Sequence, residues 1–245
     1  DADREAHRGE GQTVKLERGE LKGIKFWHRP GFSDLKTFEE VIGRGCYQQR
    51  GMTILPGERW MDCGGNVGAF TLLACSLGAD VVAYEPDPYN CEMIERNLKL
   101  NGFRATVKHR ALVHDDRDEV ALFIGNNNQT WRNSIVKRWS KLGLKVPCSR
   151  FDDEAKGFDG CKMDIEGAEM PILETTEALF KKLVYEWSFD IDPSLTRLWK
   201  VLDRQLEDYR VEAEWGRVRY RQRDYEQWQA AWFPACTNVF CYGKA

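Results

Sequence analysis

The sequence predicts an α/β chain in which a doubly wound, mostly parallel sheet carries helices on both faces and ends in an antiparallel element. Three observations carry that prediction. Between residues 59 and 113, strand-sized apolar runs alternate with helix-periodic runs, the pattern of parallel strands joined by crossover helices. The first crossover passes through the small-residue turn Cys63-Gly64-Gly65-Asn66. Residues 209–222 followed by 237–242 read as a terminal antiparallel element.

Taken in order, residues 1–12 are polar and rich in glycine and charge, which predicts a flexible, trimmed end. Residues 13–27 alternate in part and are interrupted by Glu17-Arg18-Gly19-Glu20, predicting a hairpin. In 33–50, Phe38, Val41 and Ile42 stand among polar residues and predict a short helix leading to the Pro56-Gly57 turn. Arg59-Trp60-Met61-Asp62 then reads as a strand, 67–77 as a helix stopped by Gly78, and 80–84 as a strand. Asn90, or alternatively Asp87, is expected to cap a helix with Met93, Ile94 and Leu98 at helical spacing, and Asn101-Gly102 supplies its left-handed stop. A third strand covers 106–113.

Farther on, 158–164 is a strand, 171–182 mostly helix and 183–187 a strand. Leu195, Leu198, Trp199, Leu202 and Leu206 form one stripe of a docked helix over 194–208. Trp215-Gly216 suits a two-residue turn whose register sets Glu214 opposite Arg217 and Glu212 opposite Arg219. Cross-strand ion pairing then accounts for the inner half of the run Arg217, Arg219, Arg221 and Arg223 without an anionic ligand. Residues 1–50 form an N-terminal extension and 51–245 the main domain.

Composition narrows the function. The chain has 245 residues, 42% hydrophobic and 31% charged, enough to build a core and too apolar for wholesale disorder. No apolar run approaches the roughly 18 residues of a membrane span, which rules out an integral membrane protein. The net charge of -3 argues against a uniformly basic nucleic-acid coat. Eight cysteines show neither a CxxC pair nor zinc-like spacing, so they read as buried free thiols in a reducing compartment, with the cytoplasm as default. No metal site is expected.

Chemistry concentrates in Asp62-Cys63-Gly64-Gly65-Asn66-Val67-Gly68-Ala69-Phe70, where a strand ends in aspartate and turns into a helix. Glycines let a ligand approach the backbone, and a helix start offers unpaired N–H groups. Glu85, 21 residues after Gly64 at the next strand end, is placed to accept both hydrogen bonds of a ribose diol. A dinucleotide fingerprint G-x-G-x-x-G is not met, because Asn66 stands where its middle glycine belongs. The tighter spacing from Asp62 to Gly68 suits S-adenosylmethionine, whose carboxylate and amine replace a pyrophosphate.

These residues resemble the FkbM family of S-adenosylmethionine-dependent methyltransferases. The resemblance rests on Asp62 to Thr71, on Tyr84-Glu85-Pro86-Asp87-Pro88, on Asn97-Leu98 with Asn101-Gly102, and on Lys162-Met163-Asp164-Ile165-Glu166-Gly167-Ala168-Glu169. It covers about residues 39–186. It implies a seven-stranded, Rossmann-like class I methyltransferase fold whose final strand is inserted antiparallel. It also implies that Asp62, Gly64, Asn66 and Gly68 surround the methionine part of the cofactor, that Glu85 holds the ribose, that Arg110 and Ala111 flank adenine, and that Asp164 lies beside the reactive methyl. Cys63 and Gly65 depart from the Val or Ile and Ala of many relatives, which weakens inference from their substrates.

An alcohol acceptor needs a proton acceptor, and Asp164, Glu166 and Glu186 are candidates because each lies at or just past a strand's carboxyl end. Asp164 ranks first, with orientation of the cofactor amine as an equal alternative. His109 and His114 read as structural or solvated. Residues 131–150 carry Arg132, Lys137, Arg138, Lys141, Lys145 and Arg150 with Trp131 and Trp139, and no acidic residue. They read as a solvated amphipathic helix, or as a basic segment over the site that recognises an anionic acceptor or nucleic acid. The expected activity is O-methylation of a small-molecule or carbohydrate hydroxyl; RNA methylation and a catalytically silent cofactor-binding module are the alternatives.

Overall fold

The computed structural model describes residues 5–7, 13–141, 143–213, 216–218 and 236–244. The extension holds β1 (Glu5–His7), β2 (Thr13–Lys15), β3 (Glu17–Leu21), β4 (Ile24–His28) and α1 (Asp34–Phe38). The wound portion runs β5 (Arg59–Cys63), α2 (Ala69–Ser76), β6 (Asp80–Glu85), α3 (Pro88–Asn101), β7 (Thr106–His109), β8 (Ala111–Val113), β9 (Glu119–Leu122), β10 (Leu144–Arg150), α4 (Phe151–Glu154), β11 (Gly160–Met163), α5 (Glu169–Thr175), β12 (Lys182–Ser188) and α6 (Leu195–Asp208). It closes with β13 (Tyr209–Ala213), β14 (Gly216–Val218) and β15 (Cys236–Gly243).

The main sheet has the order β14-β13-β15-β12-β11-β5-β6-β7. Pairs from β12 through β7 are parallel, and β15 runs antiparallel between β12 and β13. Seven strands follow the expected arrangement; the short β14 adds an eighth at the edge. Side-chain alternation assigns the two faces. Met61, Cys63, Cys161, Met163, Leu183 and Tyr185 pack with α5 and α6, while Trp60, Val81, Ala83, Val184 and Phe240 pack with α2 and α3. Near-continuous apolar strands are what a sheet covered on both sides requires.

Several local expectations are corrected. The hairpin of β3 and β4 turns at Lys22-Gly23, both at positive φ, and Glu17 to Leu21 is strand throughout. The helix from Asp34 changes at Glu39 into one π-type turn ending at Gly43, and Cys46–Gln48 forms a 3-10 turn. Asp87, not Asn90, caps α3, its side chain accepting from Tyr89 N–H at 2.9 Å, with Pro88 at the first turn. The expected third strand breaks after His109, so that β8 leaves the main sheet and joins β10 and β9 in a three-stranded sheet. Helix α5 stops at Thr175. In the β13–β14 hairpin Glu212 lies opposite Arg217 and Ala213 opposite Gly216, a register two residues from the expected one. The proposed partners Glu214 and Arg219, like Arg221 and Arg223, lie outside the described residues.

Within residues 1–12 the described part, Glu5–His7, pairs with β2 as strand. Leu16, Ile24, Phe26, Phe38, Val41, Ile42 and Tyr47 share one buried cluster with Trp60, Phe70 and Leu72. All eight cysteines are free thiols, five of them buried. Among the described residues no helix is long and apolar enough to cross a membrane.

Candidate active site

Parallel strands all deliver their carboxyl ends to one rim, and there β5, β6 and β11 bring together residues far apart in sequence. A cavity of about 560 Å³ is lined by Gly64, Asn66, Glu85, Arg110, Ala111 and Asp164, among others. Beside it opens a wider cleft of about 1490 Å³, walled by Lys36, Arg44, Tyr47, Lys162, Glu186 and Asp190, among others. Gly64, Asn66, Trp131, Asp164 and Glu166 line both, so the two spaces meet there.

The glycine turn is fixed by close backbone approach. Gly64 has φ 83°, and a Cβ on it would lie 1.9 Å from the Asp164 carbonyl oxygen. Gly64 and Gly65 N–H both donate to Tyr84 O, at 2.9 and 3.1 Å. Asn66 N–H donates to Glu85 Oε2 at 2.7 Å and Asp87 N–H to Glu85 Oε1 at 2.9 Å. Asn90 Nδ2 also donates to Glu85 Oε1, at 3.5 Å, so of the roughly four acceptor positions of a carboxylate one remains for a ligand hydroxyl. Burial first, and then the neighbouring Asp87 charge, lift the Glu85 carboxyl to about 8.

Not every expected residue faces the ligand side. Asp62 is fully buried, accepting from Thr71 Oγ1 at 2.7 Å and paired with Lys162 Nζ at 3.1 Å, and it lines neither cavity. Lys162 also donates to Gly64 O at 2.7 Å, so the pair braces the turn from behind. Burial opposes the Lys162 charge, but Asp62 and Asp164 outweigh it and hold its ammonium above the ordinary range. Gly68, at φ 92°, starts α2 against Ile94 and also lines neither cavity.

The loop after β11 is clamped from two sides. Buried Glu169 accepts from Ile165 N–H at 2.5 Å and Gly167 N–H at 2.7 Å, while Ser134 Oγ donates to Glu166 O at 2.6 Å. This holds Glu166, a residue that lines both cavities, at φ 53°. Asp164 Oδ2 accepts from Tyr47 O–H at 2.6 Å; its Oδ1 is buried with no hydrogen-bond partner among the described residues. Burial, followed by Asp164, raises the proton affinities of Glu166 and Glu186, and takes Glu169 to about 7. Burial and the same carboxylates push Cys46 to about 12 and Tyr47 well above its usual value, so neither serves as a base near neutrality.

Among the described residues of 131–150 there is no α-helix. Trp131 sits in a 3-10 turn with Lys36 Nζ over its ring at 4.0 Å, and β10 follows. Arg132 pairs with Asp190 and lies over Trp139 at 4.4 Å; Lys145 pairs with Glu119, and Arg150 with Asp116 and Asp152. Acids outside the segment thus meet Arg132, Lys145 and Arg150, whereas Lys137 lies over Trp139 and Arg138 over Phe123. Leu122 and Ile135, with Ala111 and Leu112, give the first cavity its apolar end. His109 Nε2 donates to Pro86 O at 2.9 Å and lines neither cavity, nor does His114. Among the described residues no group of three or more His, Cys, Asp or Glu is arranged to hold a metal.

Sequence inspection overlooked Tyr47, which lies 117 residues from its partner Asp164 and carries no local signal. Lys162 and Glu169 stand in a quoted motif, and their charge in apolar surroundings was the available clue.

Strand order, helices on both faces and a site at the strand ends define a Rossmann-like class I methyltransferase fold. The chain belongs to the Methyltransferase FkbM domain family, whose model matches residues 62–211. No curated protein sequence matches it. Among solved structures, M. jannaschii TYW2 in complex with AdoMet has a TM-score of 0.50 at 14% identity, over 95% of this chain and 88% of that one. The Pyrococcus abyssi tRNA (uracil-54, C5)-methyltransferase in complex with S-adenosyl-L-homocysteine has a TM-score of 0.49 at 14% identity, over 95% of this chain. This chain spans only 46% of that protein's length. The T. Thermophilus 16S rRNA N2 G1207 methyltransferase in complex with AdoMet and guanosine has a TM-score of 0.45 at 14% identity, over 94% and 50% of the two chains.

Proposed function

We propose that this methyltransferase moves a methyl group from S-adenosylmethionine to a hydroxyl of a small or carbohydrate-like acceptor. The carrying observation is the junction of two cavities at Asp164, Glu166 and Trp131. Three features suit the cofactor: the remaining acceptor position of Glu85 for ribose, the buried bare Oδ1 of Asp164 for an amine, and the apolar end formed by Leu112, Leu122 and Ile135 for adenine. When bound, the cofactor supplies an electrophilic methyl on a positively charged sulfur. The protein's own task is to orient the acceptor oxygen and take its proton.

Of the three candidate carboxylates, Glu186 alone lines only the acceptor cleft. Its raised proton affinity suits a base, which leaves Asp164 to hold the amine and Glu166 to border both spaces. A small acceptor is favoured over RNA because Arg132, Lys145 and Arg150 are already paired with acids and Lys36 with Trp131, so they form no open ridge for phosphates. The RNA-acting proteins named above share the fold alone.

Calorimetry with S-adenosylhomocysteine, together with labelled methyl transfer to a panel of sugars and alcohols, tests this. Wild type is expected to bind and transfer, and Glu186→Gln to lose at least about 100-fold in kcat with the same S-adenosylhomocysteine affinity. Transfer to RNA, with binding that falls steeply in added salt, overturns the small-acceptor reading; binding with no transfer to any acceptor leaves the silent-module alternative.

A further inference from the structure

The cofactor-facing carboxylate is completed by a residue from outside the matched family domain. The domain match begins at residue 62, whereas Tyr47 comes from the 3-10 turn Cys46–Gln48, placed by the π-type turn before it and by Gly45 in the left-handed region at φ 66°. Its ring is buried and meets Phe70 edge-on at 6.0 Å, with Lys162 Nζ 5.4 Å from its centroid. Its hydroxyl has one described side-chain partner, Asp164 Oδ2 at 2.6 Å.

We propose that Tyr47 is a positioning residue: by donating to Asp164 Oδ2 it fixes the carboxylate so that the bare Oδ1 is presented to the amino group of the cofactor. This rests on the assignment of Asp164 to the amine made above. Three observations support it. A donor to one carboxylate oxygen removes the rotational freedom of the other. Asp164 stands among Lys162, Glu166, Glu169, Glu186, Cys46 and Tyr47, and of these Tyr47 is the one whose side chain hydrogen-bonds its carboxylate. Because burial and Asp164 itself keep the phenol protonated, Tyr47 acts as a donor throughout the physiological pH range.

The experiment compares two ligands that differ in the group concerned. S-adenosylhomocysteine carries the amino-acid portion; 5′-methylthioadenosine carries the adenosine and sulfur without it. Titration of wild type, Tyr47→Phe, Asp164→Asn and the double variant by calorimetry is expected to show roughly tenfold weaker S-adenosylhomocysteine binding in Tyr47→Phe. Binding of 5′-methylthioadenosine stays unchanged, and Tyr47→Phe adds nothing in the Asp164→Asn background. Equal losses for both ligands, full additivity, or unchanged S-adenosylhomocysteine affinity in Tyr47→Phe overturns the proposal. If Tyr47→Phe does not fold, as judged by its thermal transition, Asp164→Asn carries the ligand comparison, and its equal loss of both ligands overturns the proposal. Wild type that binds neither ligand sinks the functional assignment itself, a result distinct from failure of the Tyr47 variant alone.

Discussion

Glu85 is protonated in most molecules at neutral pH, since burial and then Asp87 carry its carboxyl to about 8. On the proposed ribose role, the hydroxyls donate to the ionised form, so ligand binding is expected to lower that value and expel a proton. S-adenosylhomocysteine binding at pH 7 is therefore expected to release close to one proton, falling toward none above pH 9. Calorimetry in two buffers of different ionisation heat measures this, and Glu85→Gln abolishes it. The sign for stability is separate. A carboxyl raised from 4.5 stabilises the unliganded fold at low pH, and that contribution disappears as pH climbs through about 8. At this scale the sequence was informative where chemistry is local: Glu85 at a strand end after a glycine turn could be read directly. Asp62 could not, because a strand-terminal acid looks the same whether it faces a ligand or, as here, Lys162 behind the turn.

The elements divide by how much of their structure is set locally. From β5 to β6, apolar periodicity and glycine stops agree with packing and the expected boundaries hold within a residue or two, and α3 ends at its expected stop; Gly78 and Gly102 are both at positive φ. At residues 176–181 they fail. Residues 176–181 have helix-compatible composition, yet Thr176 Oγ1 bonds Asp152, Ala178 N–H bonds Thr176 Oγ1, and Phe180 N–H is taken by the Tyr209 hydroxyl at 2.8 Å. Tertiary partners therefore override propensity. The turn between β5 and α2 yields an element-scale prediction. In Gly64→Ala the new methyl meets a neighbouring backbone carbonyl on a residue already at φ 83°, so relief requires β5 and the loop after β11 to part. Denaturant unfolding is expected to show a loss of about 3 kcal/mol or more, with S-adenosylhomocysteine binding abolished.

Across the whole molecule, the extension is wired into the site. Buried Arg29 makes a bidentate pair with buried Asp34 at 2.8 and 2.9 Å and reaches Asn90 Oδ1 at 2.8 Å. Asp34 also accepts from Thr130 Oγ1 at 3.2 Å, and Thr130 borders the first cavity. Asp34→Ala leaves a buried guanidinium without its partner and is expected to cost about 3 to 5 kcal/mol in denaturant unfolding. The double variant with Arg29→Ala recovers part of that loss, a coupling a double-mutant cycle detects. None of this network was legible in sequence, since its members are polar residues scattered from 29 to 130 and no periodicity joins them.

Strand β15 comes after β13 in the chain but sits between β12 and β13 in the sheet. On the ribosome, α6 and β13 therefore emerge before the strand that seats them. Until residues 236–243 are made, β12 displays an unpaired edge bearing Leu183, Val184, Tyr185 and Trp187. Such an edge is a template for association between chains until β15 covers it.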